Sequence, residues 1–472
     1  MYQINTDLSR RTFLKQGAAA ASMLLTRPTY AARNEGLHER PDHILRISPL
    51  SLEIAPGKII TTYAYNGTVP GPVLRLREGK PVSIRVINNT NHDDIVHWHG
   101  LQDASVEDGA TEEGSPIIPG HGGSLLYRLS PKPHGTRWYH SHAMTGHDLT
   151  LGTYTGMFGF LIVEPAGDPG AYDREVLLAA HHWKGRWGKP PMAADGMPSD
   201  HGLSVAYEAA SFNGHSLGHG EPVRVRHGER VLFRLLNASA TKSMAIALPG
   251  HRFTVIALDG NPVPTPATVD VVSLTAAERA DVIVHMDRPG VWVMGDTSEA
   301  NRKLGLGVIV EYAGQSGKPV WEDPPKATWD YTLFGRNVSP SISAAAPVPD
   351  EILRLRLEKI GTAPDGHDRW AINGKCWPDG DPLFTVEQGK RYRLLMDNRS
   401  SDGHPMHLHR HSFEVMDMNG KATSGLRKDV LNVPRLTTAT VDFVADNPGP
   451  TLFHCHQQDH MDEGMMGLIR YR

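Results

Sequence analysis

The sequence predicts an all-β protein built from three tandem β-sandwich domains, and three observations carry that prediction. A weak repeat comes first: Gly79-Lys80-Pro81-Val82-Ser83-Ile84-Arg85-Val86-Ile87-Asn88 is echoed by Gly228–Asn237 and by Gly389–Asn398. In each copy a strand-like run separates a Gly from an Asn nine positions later. Second, an Asn-Gly turn signal precedes every copy, at Asn66-Gly67, Asn213-Gly214 and Asn373-Gly374. Third, 47 glycines and 35 prolines punctuate short strands, which suits sandwiches. The copies begin 149 and 161 residues apart, a domain-sized spacing.

In chain order, residues 1–35 read as a leader. Ser9-Arg10-Arg11-Thr12-Phe13-Leu14-Lys15 precedes a small-residue apolar stretch, Gly17 to Leu25, and then Pro28-Thr29-Tyr30-Ala31-Ala32. This looks like a twin-arginine signal peptide, cleaved near Ala31 or Ala32, which exports already folded proteins to the periplasm through the twin-arginine machinery. The three domains are expected at 36–168, 169–318 and 319–472. The last begins with a Pro-rich linker, Pro319 to Pro349, containing Asp323-Pro324-Pro325 and Ala344-Ala345-Ala346-Pro347, which is poor helix and poor central-strand material.

The formal net charge of −4 and pI of 6.7 exclude nothing globular but give no footprint for a nucleic-acid partner. No apolar run of membrane-spanning length follows the leader. The cysteines are Cys376 and Cys455. If Cys455 holds a metal no disulfide can form, and Cys376 reads as a small buried hydrophobe.

The chemistry concentrates in His454-Cys455-His456-Gln457-Gln458-Asp459-His460-Met461-Asp462-Glu463-Gly464-Met465. On a strand, His454 and His456 share one face and Cys455 takes the other. Cys455, His460 and Met465 supply a thiolate, an imidazole and a thioether, the soft mixture of an electron-transfer copper site. The flanking histidines would serve a separate, imidazole-only centre. Further donors lie in His97-Trp98-His99-Gly100, His140-Ser141-His142 and His404-Pro405-Met406-His407-Leu408-His409. Counting His409 and His411, the chain has five His-x-His pairs among 26 histidines. Random placement gives about one or two. The middle region, roughly 172 to 315, holds none of these motifs; His181, His182, His215 and His251 read there as surface or satisfied core residues.

The four motifs, in this order, resemble those of the multicopper oxidase family, in its three-domain, laccase-like bacterial form. The resemblance covers nearly the whole chain after the leader, and Gly135-Thr136-Arg137-Trp138-Tyr139 is similar to the family's lead-in to the second motif. It implies three cupredoxin-like Greek-key domains and four copper ions. His404, Cys455 and His460 match the type 1 ligands, with Met465 axial; His97 and His407 match the type 2 ligands. His99, His140, His142, His409, His454 and His456 match the type 3 pair. The site would then lie between the first and third domains.

The implied activity is one-electron oxidation of a reductant through the edge of His460, with electrons crossing Cys455 to His454 and His456. Dioxygen is reduced to water at the trinuclear cluster. Asp108 resembles the family's acid near that cluster and reads equally well as an Asp-Gly turn. A second acid often follows the type 1 histidine; Met461 stands there, leaving Asp459 or Asp462. Arg410 departs from the glycine common after the third motif, which puts close backbone packing there in question.

The reductant is open. A phenol or aromatic amine, laccase-like, is the leading expectation; a metallo-oxidase for Cu(I), Fe(II) or Mn(II), serving metal tolerance, is the alternative. Methionine would favour Cu(I), but only 16 are present and no Met-rich insertion precedes His404. Met461, Met465 and Met466 fit the axial position and local packing, and Met416 and Met418 read as core. A copper-storage protein would not need a complete Cys-His-Met set, a metal-free scaffold would show gaps in the motifs, and a copper nitrite reductase would lack the paired type 3 ligands.

Overall fold

Each copy of the repeat forms the strand that runs parallel to the opening strand of its sandwich. The computed structural model describes residues 40–167, 172–189, 202–326, 328–337 and 348–472; the predicted leader and residues 344–347 of the predicted linker lie outside them. Val82–Asn88 pairs in parallel with His43–Ala55, Arg230–Asn237 with Arg174–Trp183, and Arg391–Asn398 with Glu351–Thr362.

The Asn-Gly dipeptides are two-residue hairpin turns. Asn66, Asn213 and Asn373 have φ of 53°, 48° and 55°, and the following glycines 73°, 79° and 78°. Two successive left-handed residues define the type I′ turn that matches strand twist. The asparagine side chains also stitch the turns to the opening strands. Asn213 accepts from the Ala179 amide at 2.8 Å and donates to the Leu177 carbonyl at 2.7 Å. Asn66 bridges Arg46 and Ile44 the same way, and Asn373 bridges Arg356 and Arg354. The closing asparagines of the repeat act alike: Asn88, Asn237 and Asn398 each donate to a carbonyl four or five residues on and to at least one that lies 30 or more residues on. The repeat is therefore a set of buried hydrogen-bonding duties that a hydrophobic side chain cannot perform.

The second and third sandwiches each pair a six-stranded with a five-stranded sheet in the same strand order; the first has two four-stranded sheets. Leu45, Ile47, Ile84 and Val86 from one sheet of the first sandwich pack against Leu74, Leu76, Leu161 and Val163 from the other. A larger core joins the second and third sandwiches, including Phe233, Ile246, Leu394 and Phe453. Within the predicted linker, Tyr331–Phe334 forms a short 3-10 turn packed into that core rather than a bare tether.

Register then places the donors. Val96–His97 lies against Gly135–Ser141 with His97 opposite His140. His404–Leu408 pairs with Thr451–Cys455, setting His407 opposite His454 and Met406 opposite Cys455. The last strand of the motif ends at Cys455, so His456 lies just beyond it, its amide bonded to the Pro405 carbonyl at 2.7 Å. A helical turn, Gln458–Asp462, brings His460 back toward Cys455.

Candidate metal centres

His404, Cys455 and His460 converge in one buried group. Cys455 Sγ lies 3.5 Å from His460 Nδ1 and 3.7 Å from His404 Nδ1, and those two nitrogens are 3.1 Å apart. The Trp370 ring packs 4.2 Å from that of His460. Met465 is fully buried, with its carbonyl accepting from the Cys455 amide at 3.0 Å.

The other eight motif histidines form a second cluster. Their ligand atoms fall into overlapping groups: His97, His99 and His407; His99, His140 and His456; His142, His409 and His454. His97 Nε2 and His407 Nε2 are 3.4 Å apart, as are His99 Nδ1 and His140 Nε2; His409 Nε2 and His454 Nε2 are 3.0 Å apart. Burial, reinforced by neighbouring imidazoles, holds His99, His140, His142, His407, His409, His454 and His456 well below the ordinary imidazole range. Neutral imidazole is the metal-binding form. His142 Nε2 and His456 Nε2 are buried without a hydrogen-bond partner among the described residues. Converging neutral nitrogens with no polar partner fit metal ions, and the donor sets fit copper.

The opposite ring nitrogens are held by the protein, which fixes each tautomer. His97, His140, His407 and His454 direct Nδ1 at the carbonyls of Asp108, Ser141, Asp429 and Cys455, at 2.8–2.9 Å. Asp108 ends a short helix ahead of Gly109, at φ 93°, and its Oδ2 lies 2.8 Å from His409 Nδ1 and 3.1 Å from His97 Nδ1. A Cβ on Gly109 would stand 1.8 Å from the Val96 carbonyl, so glycine is required there for close approach as well.

Three charged residues beside the cluster escaped sequence reasoning. Asp429 Oδ1 sits 3.1 Å from His99 Nε2, and the carboxylate is clamped by Arg279, with both nitrogens at 2.7 Å, and by Arg137 at 3.3 Å. Burial pushes the Asp429 carboxyl upward, but Arg279 and its hydrogen bonds outweigh it and bring the value to about 2. Arg279 belongs to the middle sandwich, which thus buttresses the site without lending a ligand. Glu113 is the third: its Oε1 lies 3.4 Å from His409 Nδ1. The signal available in sequence was charge beside an apolar run, as in Lys428-Asp429 before Val430-Leu431, but nothing in sequence names the partner.

Arg410 adopts the left-handed conformation, φ 56°, that glycine normally fills, and its side chain is 1% exposed. The acids left open are now separated in space. Asp462 accepts from Thr145 Oγ1 at 2.6 Å, on the loop after His142, whereas Asp459 lines a cavity beside His460. His181, His182 and His251 are core residues bonded to Ala238, Ser239 and Tyr312.

Asp94, 1% exposed beside Ser141, gives a pH-dependent prediction. Burial raises it from 3.8 to about 7 against opposing hydrogen bonds from Ser141 and Ile95. A carboxyl with a raised folded pKa takes up a proton on folding, so its contribution is largest below the unfolded value and is lost as pH rises toward 7. The melting temperature of Asp94→Asn should therefore fall less than that of wild type between pH 5 and pH 8. Parallel curves would show that Asp94 does not titrate in this window.

Three family models, each described as multicopper oxidase, match residues 50–168, 192–313 and 354–472. The chain is 30% identical to multicopper oxidase MmcO of Mycobacterium tuberculosis, across 88% of this chain and 84% of the relative. It is 27% identical to Laccase-1 of Botryotinia fuckeliana, across 87% and 78%, and 24% identical to a copper resistance protein A homolog of Pseudomonas syringae, across 98% and 99%. Among solved structures, a multi-copper oxidase from Pseudomonas thermotolerans superposes with TM-score 0.70 at 24% identity, across 91% and 98% of the two chains. The chain belongs to the multicopper oxidase family. It is a copper-binding oxidoreductase of three cupredoxin-like domains, with dioxygen as the electron acceptor.

Proposed function

We propose that this protein is a laccase-like oxidase with four copper ions, exported to the periplasm by the twin-arginine route, which oxidises a phenol or aromatic amine. His404, Cys455, His460 and Met465 would hold the type 1 ion. His97 and His407 would hold the type 2 ion, and His99, His140, His142, His409, His454 and His456 would hold the type 3 pair. When bound, the ions supply one-electron acceptance at the first centre and four-electron reduction of dioxygen to water at the second.

The observation carrying this reading is the covalent adjacency of the two donor sets: Cys455 lies between His454 and His456. The hydrogen bond from His454 Nδ1 to the Cys455 carbonyl, 2.9 Å, adds a second coupling between the centres. Asp108 holds the Nδ1 protons of His97 and His409, keeping both imidazoles aimed into the cluster.

The reductant reaches the edge of His460 through a cavity of about 350 Å³ lined by Thr241, Lys242, Asp402, Gln457 and Asp459. A neighbouring cavity of about 390 Å³ is lined by Met244, Leu274, Trp329 and Met418, and Ser243, Thr275 and Asn432 line both. An apolar space with an aromatic wall beside a polar mouth suits a phenolic ring. A second reading, oxidation of a metal ion, is favoured by Asp402 Oδ2, 3.6 Å from His460 Nε2, with Asp459 nearby. Carboxylates suit Fe(II) or Mn(II).

Oxygen uptake by the copper-loaded protein, offered a phenol, Cu(I), Fe(II) and Mn(II) separately, decides between them. Rapid uptake with the phenol, retained in Asp402→Asn, is expected. Uptake only with a metal ion, lost in Asp402→Asn, would establish the second reading, and uptake with none would overturn both.

A further inference from the structure

Carboxylates reach His97 and His99, but His409 meets two of them at one nitrogen. Its Nε2 faces His454 Nε2 at 3.0 Å, so Nδ1 points away from the cluster. Where His97, His140, His407 and His454 meet a backbone carbonyl, His409 Nδ1 meets two carboxylates, Asp108 Oδ2 at 2.8 Å and Glu113 Oε1 at 3.4 Å. Glu113 is itself held at one oxygen by a hydrogen bond and at the other by an ion pair. Oε1 accepts from the Leu452 amide at 2.6 Å, on the strand that carries His454 and Cys455. Oε2 lies 2.9 Å from Nε of Arg410, the residue after His409.

Arg410 is the sequence's departure from the family's glycine, and it carries two liabilities. Its backbone is in the left-handed region, which strains any residue with a Cβ, and its charge is buried. Both are offset locally. The guanidinium donates to the carbonyls of Gly449 and Pro450 at 3.0 and 2.9 Å and to Thr451 Oγ1 at 2.6 Å, which leaves Nε for Glu113. Glycine would remove the strain and need none of these partners. What glycine cannot supply is a cation next to Glu113.

We infer that Glu113, held in place by Arg410, is a positioning residue for His409, and through His409 for the type 3 copper bound there. The inference rests on the ligand assignment proposed above. The pair links His409 to the His454 strand, so two of the three imidazoles of that group, His142 being the third, share one support. A carboxylate on the far nitrogen also strengthens the imidazole as a donor. Asp108 accepts from the same nitrogen at 2.8 Å and is shared with His97, and Glu113 adds a second carboxylate that belongs to His409 alone.

The test uses the full chain, copper-loaded, as wild type, Glu113→Gln, Arg410→Gly and the double variant. Copper retained against EDTA and the electron paramagnetic resonance of the type 3 pair, silent while the two ions are coupled, are the readouts. The blue absorption of the Cys455 centre serves as a folding control. Both single variants should lose cluster copper about tenfold to a hundredfold faster. They should reveal an uncoupled type 3 signal while keeping the blue band. The double variant should match Glu113→Gln alone, because Arg410 acts through Glu113.

Retention and a silent pair in a blue Glu113→Gln protein would overturn the inference. So would loss in Arg410→Gly that Glu113→Gln does not share, which would make Arg410 a loop brace only. If Glu113→Gln is not blue, the Arg410→Gly protein, relieved of backbone strain, decides by the same two readouts. Wild-type protein lacking a coupled pair would instead refute the ligand assignment, separately from the positioning role.

Discussion

Cys455→Ser should abolish the intense blue absorption of the copper-loaded protein and reduce reductant-driven oxygen uptake to background. Cys455 is completely buried and nearly isosteric with serine, so the fold should survive. Burial raises its thiol pKa, and His460 beside it is the leading counterweight. Only coordination makes such a buried thiol a thiolate outright. A serine hydroxyl is a hard, weakly acidic donor and replaces neither the soft bond nor the charge-transfer transition. The eight cluster histidines keep their partners, so copper at the second centre should persist. The check is one sample read three ways: absorption, copper content and oxygen uptake. A blue, active Cys455→Ser protein would remove the electron-transfer assignment altogether.

Asp429→Ala should give the largest loss of stability. Asp429 is the anion shared by Arg279, Arg137 and the His99 ring, and it is 1% exposed. Its removal leaves two guanidinium groups buried with less than their share of counter-charge. Breaking a buried ion pair from one side costs about 3–5 kcal/mol. For a chain of this size that corresponds to roughly 3–6 °C in apparent melting temperature. Because Arg279 comes from the middle sandwich and Arg137 from the first, the effect should appear as earlier separation of the sandwiches. His99 also loses the acceptor that fixes its tautomer, so cluster copper should be retained less well. A melting temperature within two degrees of wild type would mean that Asp259, 3.6 Å from Arg279, suffices as counter-ion.

Much of this architecture was legible because its signals are local. The Asn-Gly turns could be read since two consecutive left-handed residues need Asn and Gly whatever the surroundings. The repeat could be read since each copy places an asparagine where loop carbonyls must be satisfied. The clustered histidines showed through their one-apart spacing, although in each of the four motifs the second histidine of the His-x-His pair lies just beyond the end of its strand. Asp108 was visible in two readings, an acid near the cluster or an Asp-Gly turn, and the structure places it against His97 and His409 at the end of a short helix. Arg410 was noted as an oddity, and its partner Glu113 went unseen, because they are brought together by docking of the first and third sandwiches. Asp429 and Arg279 were hidden for the same reason: a charge beside an apolar run announces that a partner exists, not where it is.

The sequence by itself determined the repeat and the donors on offer: a Cys-His-Met set and histidine pairs at one-apart spacing in four motifs. Short-range stereochemistry and donor type suffice for that. Only the tertiary structure decided which carboxylate meets which imidazole, that the ligand-free middle sandwich buttresses His99 through Arg279, and that Asp459 and Asp462 face different ways. Those pairings join residues from separate sandwiches, often more than a hundred positions apart, and they exist only where desolvated charges find each other as the sandwiches close.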